Sequence, residues 1–76
     1  MPVPMGFRAI ADDLQQRIKG REYEPGSRLP SYPELAALYS VSISTAQRAI
    51  SLLVERGVVV TSPGRGLFVA DEPPVG

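Results

Sequence analysis

Cysteine and histidine are both absent from the 76 residues of this chain. Without cysteine the chain forms neither disulfides nor thiolate metal sites, and without histidine it lacks the usual zinc ligand and the commonest general base. No apolar run approaches the roughly 20 residues of a membrane-spanning helix, and the N-terminus lacks the basic-then-apolar pattern of a secretion signal. These absences predict a cytoplasmic protein with no metal site, no cofactor and no membrane partner.

Net charge is absent as well, because eight basic residues balance eight acidic ones. A zero balance by itself argues against a nucleic-acid partner. The distribution is uneven, however: residues 27–70 hold four arginines against two glutamates, whereas Asp71 and Glu72 make the C-terminal end acidic. The mildly basic middle of the chain therefore remains compatible with binding to phosphate groups.

The length allows one small domain. We expect a flexible tail at residues 1–6, a folded domain at residues 7–70, and a second tail or the start of a linker at residues 71–76. Apolar residues spaced by three, four and four positions predict a first amphipathic helix that ends near Gly20; they are Phe7, Ile10, Leu14 and Ile18. We expect the charged side of this helix, which includes Asp12, Asp13 and Arg17, to be an ordinary solvated surface.

Residues 30–57 predict two further helices joined by a tight turn. Ser31 and Glu34 have the spacing of a capping box at the start of the second helix, and Pro33 is tolerated in its first turn. We expect the buried face of this helix to consist of Leu35, Ala36, Ala37 and Leu38, and the turn to span residues 39–41.

The third helix is predicted over residues 42–56, with Ser42 as its cap and Gly57 as its stop. Its apolar residues recur at helical spacing and comprise Ala46, Ala49, Ile50 and Leu53. The opposite side carries hydrogen-bonding side chains, namely Ser44, Gln47, Arg48 and Ser51. A short helix, a turn and a helix with polar side chains near its N-terminus indicate a helix-turn-helix.

Two β-branched or apolar runs, at residues 58–62 and 67–70, flank a Pro-Gly-Arg-Gly turn and predict a hairpin. Residues 27–29 are extended and are expected to pair with one of these strands, because an isolated hairpin is only marginally stable. The predicted fold is mainly α with a small β-sheet: a winged helix-turn-helix with three helices and a two- to three-stranded antiparallel wing.

Several short motifs occur in a fixed order along the chain. They are Ile10-Ala11-Asp12-Asp13-Leu14, Pro25-Gly26-Ser27-Arg28-Leu29-Pro30-Ser31, Glu34-Leu35-Ala36, Val41-Ser42, Arg48-Ala49-Ile50 and Gly64-Arg65-Gly66-Leu67-Phe68-Val69. Together they resemble the N-terminal DNA-binding domain of GntR-type bacterial transcription regulators. The resemblance implies a winged helix that binds operator DNA, usually as a dimer on a palindromic site.

This chain departs from the pattern of that family at informative positions. Arginine is common in the family where this chain has Pro33, Ile43 and Gln47, so the family's guanine-reading arginines are not carried over. The turn between the helices usually has glycine where this chain has Ser40, which predicts a strained positive φ.

In this geometry the third helix lies in the major groove with its N-terminal end toward the bases. The short residues Ser42, Ser44 and Thr45 are expected to bind phosphates or nearby base edges. Gln47 is the best candidate for reading adenine, and Ile43 either meets a thymine methyl group or packs against the wing or the preceding helix. Arg48 either binds a phosphate or forms an ion pair with a carboxylate.

The wing and the start of the second helix supply the other predicted contacts. Arg65 either enters an A·T-rich minor groove or only keeps the turn soluble, and Gly64 and Gly66 allow their backbone N–H groups to approach a phosphate. Ser31 and Tyr32 can hold a phosphate at a helix N-terminus, although Ser31 is equally well explained as a cap. Arg28 completes the set of predicted DNA-binding residues.

The preferred hypothesis is a sequence-specific double-stranded DNA-binding regulator, a repressor that occludes a promoter, acting as a homodimer in the cytoplasm at the bacterial nucleoid. A protein-interaction module on the same scaffold is the alternative, motivated by the zero net charge and the missing arginines. An enzyme is a distant third, because no nucleophile and base converge in the sequence. A small-molecule effector is expected only if a C-terminal sensor domain is missing from this chain.

Overall fold

The computed structural model describes residues 6–71 and contains three helices and two strands, in the predicted order. They are α1 (Phe7–Lys19), α2 (Tyr32–Tyr39), α3 (Ile43–Glu55), β1 (Val59–Ser62) and β2 (Gly66–Val69). The strands are antiparallel, and their register pairs Val59 with Val69 and Ser62 with Gly66. The predicted fold class is therefore confirmed, whereas most of the tails predicted at residues 1–6 and 71–76 lies outside the described residues.

A single apolar core joins all of these elements. It is formed by the predicted faces of α1 and α3, by Leu35 and Ala36 of α2, and by Leu29, Val58, Val59, Leu67 and Val69 around the wing. Ile10, Leu14, Leu35, Ile50 and Leu53 are essentially inaccessible to solvent. The wing thus packs on the helices through one face of its hairpin.

The predicted face of α2 is partly wrong. Leu38 is 53% exposed and Ala37 is also exposed, because the inward stripe of this helix follows positions i, i+3, i+4 and i+7. That stripe consists of Tyr32, Leu35, Ala36 and Tyr39. Tyr39 accordingly belongs to the last turn of α2 and not to the loop in which it was predicted.

The turn between α2 and α3 is closed by a serine in the left-handed region. Ser40 has φ 54° and ψ 47°. The positive φ confirms the prediction made from the glycine that is usual at this position. Its backbone N–H donates to Ala37 at 3.3 Å, and the N–H of Val41 donates to the carbonyl of Ala36 at 2.9 Å. These bonds satisfy carbonyl groups at the end of α2 and set the sharp change of direction into α3.

The predicted third strand is reduced to a single bridge. Arg28 pairs with Phe68, the N–H of Leu29 donates to Leu67 at 2.8 Å, and the N–H of Val69 donates to Ser27 at 2.9 Å. The segment that leads into α2 is therefore attached to β2, on the edge opposite β1. This attachment places the N-terminus of α2 beside the hairpin.

The charged side of α1 is not simply a solvated surface, which corrects the prediction for part of that face. Tyr39 Oη donates to Asp13 Oδ2 at 2.6 Å, and Arg17 Nε donates to the same oxygen at 2.8 Å. Arg17 also pairs with Glu22 at 2.8 Å. The hydrogen bonds from Tyr39 and then Arg17 hold the pKa of Asp13 below its usual value, so this carboxylate connects α1 to α2.

A second connection joins α1 to the C-terminal end of α3. Arg56 Nη1 donates to Asp12 Oδ1 at 2.8 Å and to Gln15 Oε1 at 2.9 Å. In both connections a carboxylate from the predicted polar face of α1 bonds to a residue at the end of another helix, Tyr39 or Arg56. No helix among residues 6–71 has both the length and the apolar content that crossing a membrane requires.

Candidate nucleic-acid interface

The N-terminal end of α3 is fixed by a side-chain cap. Ser42 Oγ accepts a hydrogen bond from the backbone N–H of Thr45 at 3.2 Å, and the hydroxyl groups of these two residues lie 3.0 Å apart. Ser42 is exposed and Thr45 is half-buried. The cap predicted at Ser42 is confirmed, and both hydroxyl groups serve to order the first turn of the helix.

The outward face of α3 is the one that the sequence predicted. Ser44, Gln47, Arg48 and Ser51 are exposed, while Ala46, Ala49, Ile50 and Leu53 are buried on the opposite side. Ile43 is 47% exposed and does not belong to the core cluster or to the side chains packed against it. The side chain of Ile43 is therefore not part of the core, and its contact with a thymine methyl group stays a prediction.

Arg48 lies over an aromatic ring instead of beside a carboxylate. Its guanidinium carbon is 5.4 Å from the centroid of the Phe7 ring, and the guanidinium of Arg8 is 5.8 Å from the same centroid. Within residues 6–71, Arg48 has no salt bridge, so the ion-pair alternative is wrong. This contact was not predicted, because helical periodicity assigns Phe7 only to the apolar face of α1 and does not identify a partner on α3.

Six of the predicted site residues come together in an open groove of about 440 Å³ between the wing and the start of α2. They are Arg28, Ser31, Tyr32, Gly64, Arg65 and Gly66. Pro33 and Pro63 also line the groove, one from each side. The other six predicted residues are on α3 or its cap and do not line this groove, so the predicted site residues are divided between two parts of the fold.

The close packing inside this groove explains why position 66 is glycine. Its φ is 121°, and a Cβ atom there would lie 3.1 Å from Nε of Arg28. The guanidinium of Arg28 therefore packs directly across the backbone of the wing, where a larger residue would displace it. Gly64 has φ 76° and open space around it, which leaves its backbone accessible at the tip beside the exposed Arg65.

Ser31 is confirmed as a cap. Its hydroxyl and its backbone N–H both donate to Glu34 Oε1, at 2.9 and 3.1 Å, and the N–H of Glu34 donates back to Ser31 Oγ at 3.3 Å. The donation from the backbone of Ser31, followed by that from its hydroxyl, lowers the pKa of Glu34. The hydroxyl of Ser31 is thus engaged within the helix, and its predicted phosphate contact stays a prediction.

The pairing of charges divides the arginines into two groups. Arg17 and Arg56 are neutralised by carboxylates of α1 and of the loop after it. In the described part of the chain, the other five have no such partner; they are Arg8, Arg21, Arg28, Arg48 and Arg65, of which the last three belong to the predicted site. The zero net charge therefore coexists with three unpaired cations at the predicted site.

Residues 7–69 match the family described as bacterial regulatory proteins, gntR family. The uncharacterized HTH-type transcriptional regulator YhcF of Bacillus subtilis is 36% identical over 66 residues, which cover 87% of this chain and 54% of YhcF. The HTH-type transcriptional repressor NagR of Bacillus subtilis is 36% identical over 69 residues, which cover 91% of this chain and 28% of NagR.

Solved structures show the same fold. The DNA-binding domain of AraR in complex with operator ORX1 superposes with a TM-score of 0.83 at 25% identity, and the match covers 92% of each chain. This chain spans about half of YhcF and less than a third of NagR. The comparisons therefore concern the winged helix-turn-helix and not the remainder of those longer relatives.

Proposed function

Because the chain belongs to the GntR family of bacterial regulatory proteins, we propose that it binds double-stranded operator DNA as the DNA-binding part of a transcription regulator. α3 lies in the major groove, and the wing lies near the minor groove. The observation that carries the proposal is the grouping of Arg28, Arg48 and Arg65, unpaired within residues 6–71, on the surfaces formed by α3 and the wing.

The roles of the residues follow from their positions. Arg28, Arg65 and the backbone of Gly64 and Gly66 face the groove and bind phosphates or the edge of the minor groove, beside Ser31 and Tyr32 at the start of α2. Arg48 binds a phosphate next to the N-terminus of α1. Ile43, Ser44 and Gln47 face the bases, and Ser42 and Thr45 position the first turn of α3.

The biological setting is proposed from the relatives. NagR of Bacillus subtilis and the mannosyl-D-glycerate system regulator MngR of Escherichia coli are both named repressors, which favours repression by occlusion of a promoter. We propose a homodimer on a palindromic operator, in the bacterial cytoplasm at the nucleoid. An effector enters only through a further domain of a longer protein.

The test is a fluorescence anisotropy titration of a random-sequence duplex at increasing salt. Neutralising three phosphates per copy gives a slope of about −2.7 in log affinity against log salt. Arg48→Ala should make the slope less steep by about 0.9 and weaken binding to all sequences equally. Lys19→Gln is the matched control, because Lys19 ends α1 about 18 Å from the end that carries Phe7.

The alternative function is a protein-interaction module. It is favoured by the zero net charge and by the exposed Leu38 and Val60. No association with duplex at low salt would overturn the DNA proposal and favour this alternative. An Arg48→Ala variant whose salt slope equals that of the wild type would show that Arg48 does not touch the DNA backbone.

A further inference from the structure

We infer that α3 reads its half-site as adjacent A·T base pairs, with Ile43 on a thymine methyl group and Gln47 on adenine. The inference rests on the proposed function and specifies the class of sequence that this surface takes. It follows from which side chains of α3 are free to reach base edges.

Ile43 and Gln47 are four positions apart on α3, so they lie one above the other on the same side of the helix. Ile43 is 47% exposed and Gln47 is exposed. Among residues 6–71, Ile43 lies outside the core cluster and the side chains packed against it, and the side chain of Gln47 takes part in none of the hydrogen bonds at the start of α3. Residues one turn apart on a helix in the major groove address neighbouring base pairs.

The other side chains of this end of α3 are occupied or unselective. Ser42 and Thr45 form the cap, with their hydroxyl groups 3.0 Å apart. Arg48 lies over the Phe7 ring at 5.4 Å, which directs its charge toward α1 and the DNA backbone. Ser44 remains, but a serine hydroxyl bonds to more than one kind of base and does not discriminate between them.

The chemistry of the remaining pair selects A·T. Guanine is read by arginine or lysine, which bind O6 and N7 together, and residues 42–47 contain neither. Glutamine pairs with N6 and N7 of adenine through two hydrogen bonds, and an apolar side chain contacts the thymine methyl group. Contact with a methyl group would also cover the apolar surface that Ile43 otherwise exposes to water.

The wing points to the same class of sequence. Arg65 is exposed at the tip of the hairpin, between Gly64 and Gly66, and has no salt bridge within residues 6–71. Arginine is attracted to the narrow minor groove of A·T-rich DNA, where the negative potential is enhanced. The contacts of α3 in the major groove and of Arg65 in the minor groove would therefore both favour A·T pairs.

The first experiment is selection of bound duplexes from a random pool by the full 76-residue chain at low salt. We expect enriched half-sites with at least two adjacent A·T pairs. A motif dominated by G·C pairs at its most selected positions would overturn the inference while leaving the proposed function intact. No enrichment of any duplex, with no association at low salt, would instead overturn the proposed function.

The second experiment assigns each contact with base analogues in the selected duplex. Deoxyuridine in place of thymidine removes the methyl group and should weaken binding by the wild type about fourfold. The affinity of the Ile43→Ala variant should be the same for both duplexes. 7-Deazaadenine removes the N7 acceptor and should weaken binding by the wild type at least about fivefold. The affinity of the Gln47→Ala variant should not change when this analogue is used.

The control for both analogues is Val54→Ala, which shortens another exposed apolar residue near the far end of α3 (Val54 is 40% exposed). This variant should respond to deoxyuridine and to 7-deazaadenine as the wild type does. If Ile43→Ala and Gln47→Ala also respond as the wild type does, the two residues do not contact these atoms and the inference is wrong.

Discussion

Ser40 holds a backbone conformation that suits glycine better than serine. With φ 54° and ψ 47° it lies in the left-handed region, which costs a residue with a Cβ atom about 1 kcal/mol or more. Ser40 is exposed, and no side-chain hydrogen bond of Ser40 occurs among the described residues. We expect Ser40→Gly to stabilise the domain by about 0.5–1 kcal/mol, or about 2–8 °C in a thermal melt followed by circular dichroism.

The control for this change is Ser44→Gly, which places the same residue inside α3. Glycine in a helix loses more backbone entropy on folding, so this variant should be destabilised. A lower melting temperature for Ser40→Gly would contradict the prediction and show that the entropy of the unfolded chain outweighs the relief of strain.

Phe7 places Arg48 where the proposed phosphate contact needs it. Phe7 is half-buried against the core and presents its ring to Arg48 at 5.4 Å. An arginine held in advance loses less side-chain entropy on binding. We expect Phe7→Leu, which keeps apolar contact but removes the ring, to weaken duplex binding about two- to fivefold, the size of an exposed cation–π contact.

A mutant cycle separates this role from simple packing. Phe7→Leu should have no further effect on binding once Arg48 is replaced by alanine, and Phe7→Trp should retain wild-type affinity because indole supports the same contact. Equal losses from Phe7→Leu with and without Arg48 would mean that Phe7 acts only through the stability of α1.

The hydrogen bond from Tyr39 to Asp13 joins two helices that otherwise meet mainly through α3. Tyr39→Phe removes a 2.6 Å bond and should lower the free energy of unfolding by about 0.5–1.5 kcal/mol. Tyr23→Phe is the matched control, because Tyr23 also packs against the core and its hydroxyl has no hydrogen bond among the described residues. Urea unfolding of the three proteins at neutral pH measures both changes.

The same bond predicts how stability depends on pH. Because the pKa of Asp13 is below its ordinary 3.8 in the folded state, its contribution is present above the pKa of the unfolded chain and is lost as pH falls through the folded value. Tyr39→Phe removes the largest cause of this depression, so its stability should fall less steeply below about pH 4 than that of the wild type. An identical loss of stability at acid pH in the wild type and in Tyr39→Phe would contradict this explanation.

Elements with local signals were predictable, and contacts between them were not. The capping box at Ser31, the stop at Gly57 and the hairpin around Gly64 depend on neighbouring residues, and all were found in the structure. The bonds of Tyr39 to Asp13 and of Arg56 to Asp12 join residues 26 and 44 positions apart, and a periodic pattern does not identify such partners. Leu38 was misassigned because eight residues of helix do not fix which of two adjacent faces is buried.

For the binding of DNA by the whole molecule, which charges form ion pairs is more important than the net charge. The ion pairs of Arg17 and Arg56 occupy two basic side chains of α1 and the end of α3. Three of the arginines without a salt bridge among residues 6–71, namely Arg28, Arg48 and Arg65, lie on the surfaces of the proposed interface. A few phosphate contacts give one copy only modest affinity, since each contributes a slope of about −0.9. Specific binding is therefore expected to need two copies.

The dimensions of the domain set the spacing that two copies require. Its described part measures 38 × 29 × 20 Å. Two copies therefore fit side by side on one face of DNA, with half-sites about one turn or about 34 Å apart, when one of the two shorter dimensions lies along the DNA axis. We expect a palindrome with this spacing to bind two copies, with a salt slope near −5.4 against about −2.7 for a single half-site. Native mass spectrometry of the complex gives the stoichiometry.

Inserting five base pairs, which moves one half-site to the opposite face, should reduce affinity toward that of a single half-site. Equal affinity for all three duplexes would instead establish independent binding of single copies.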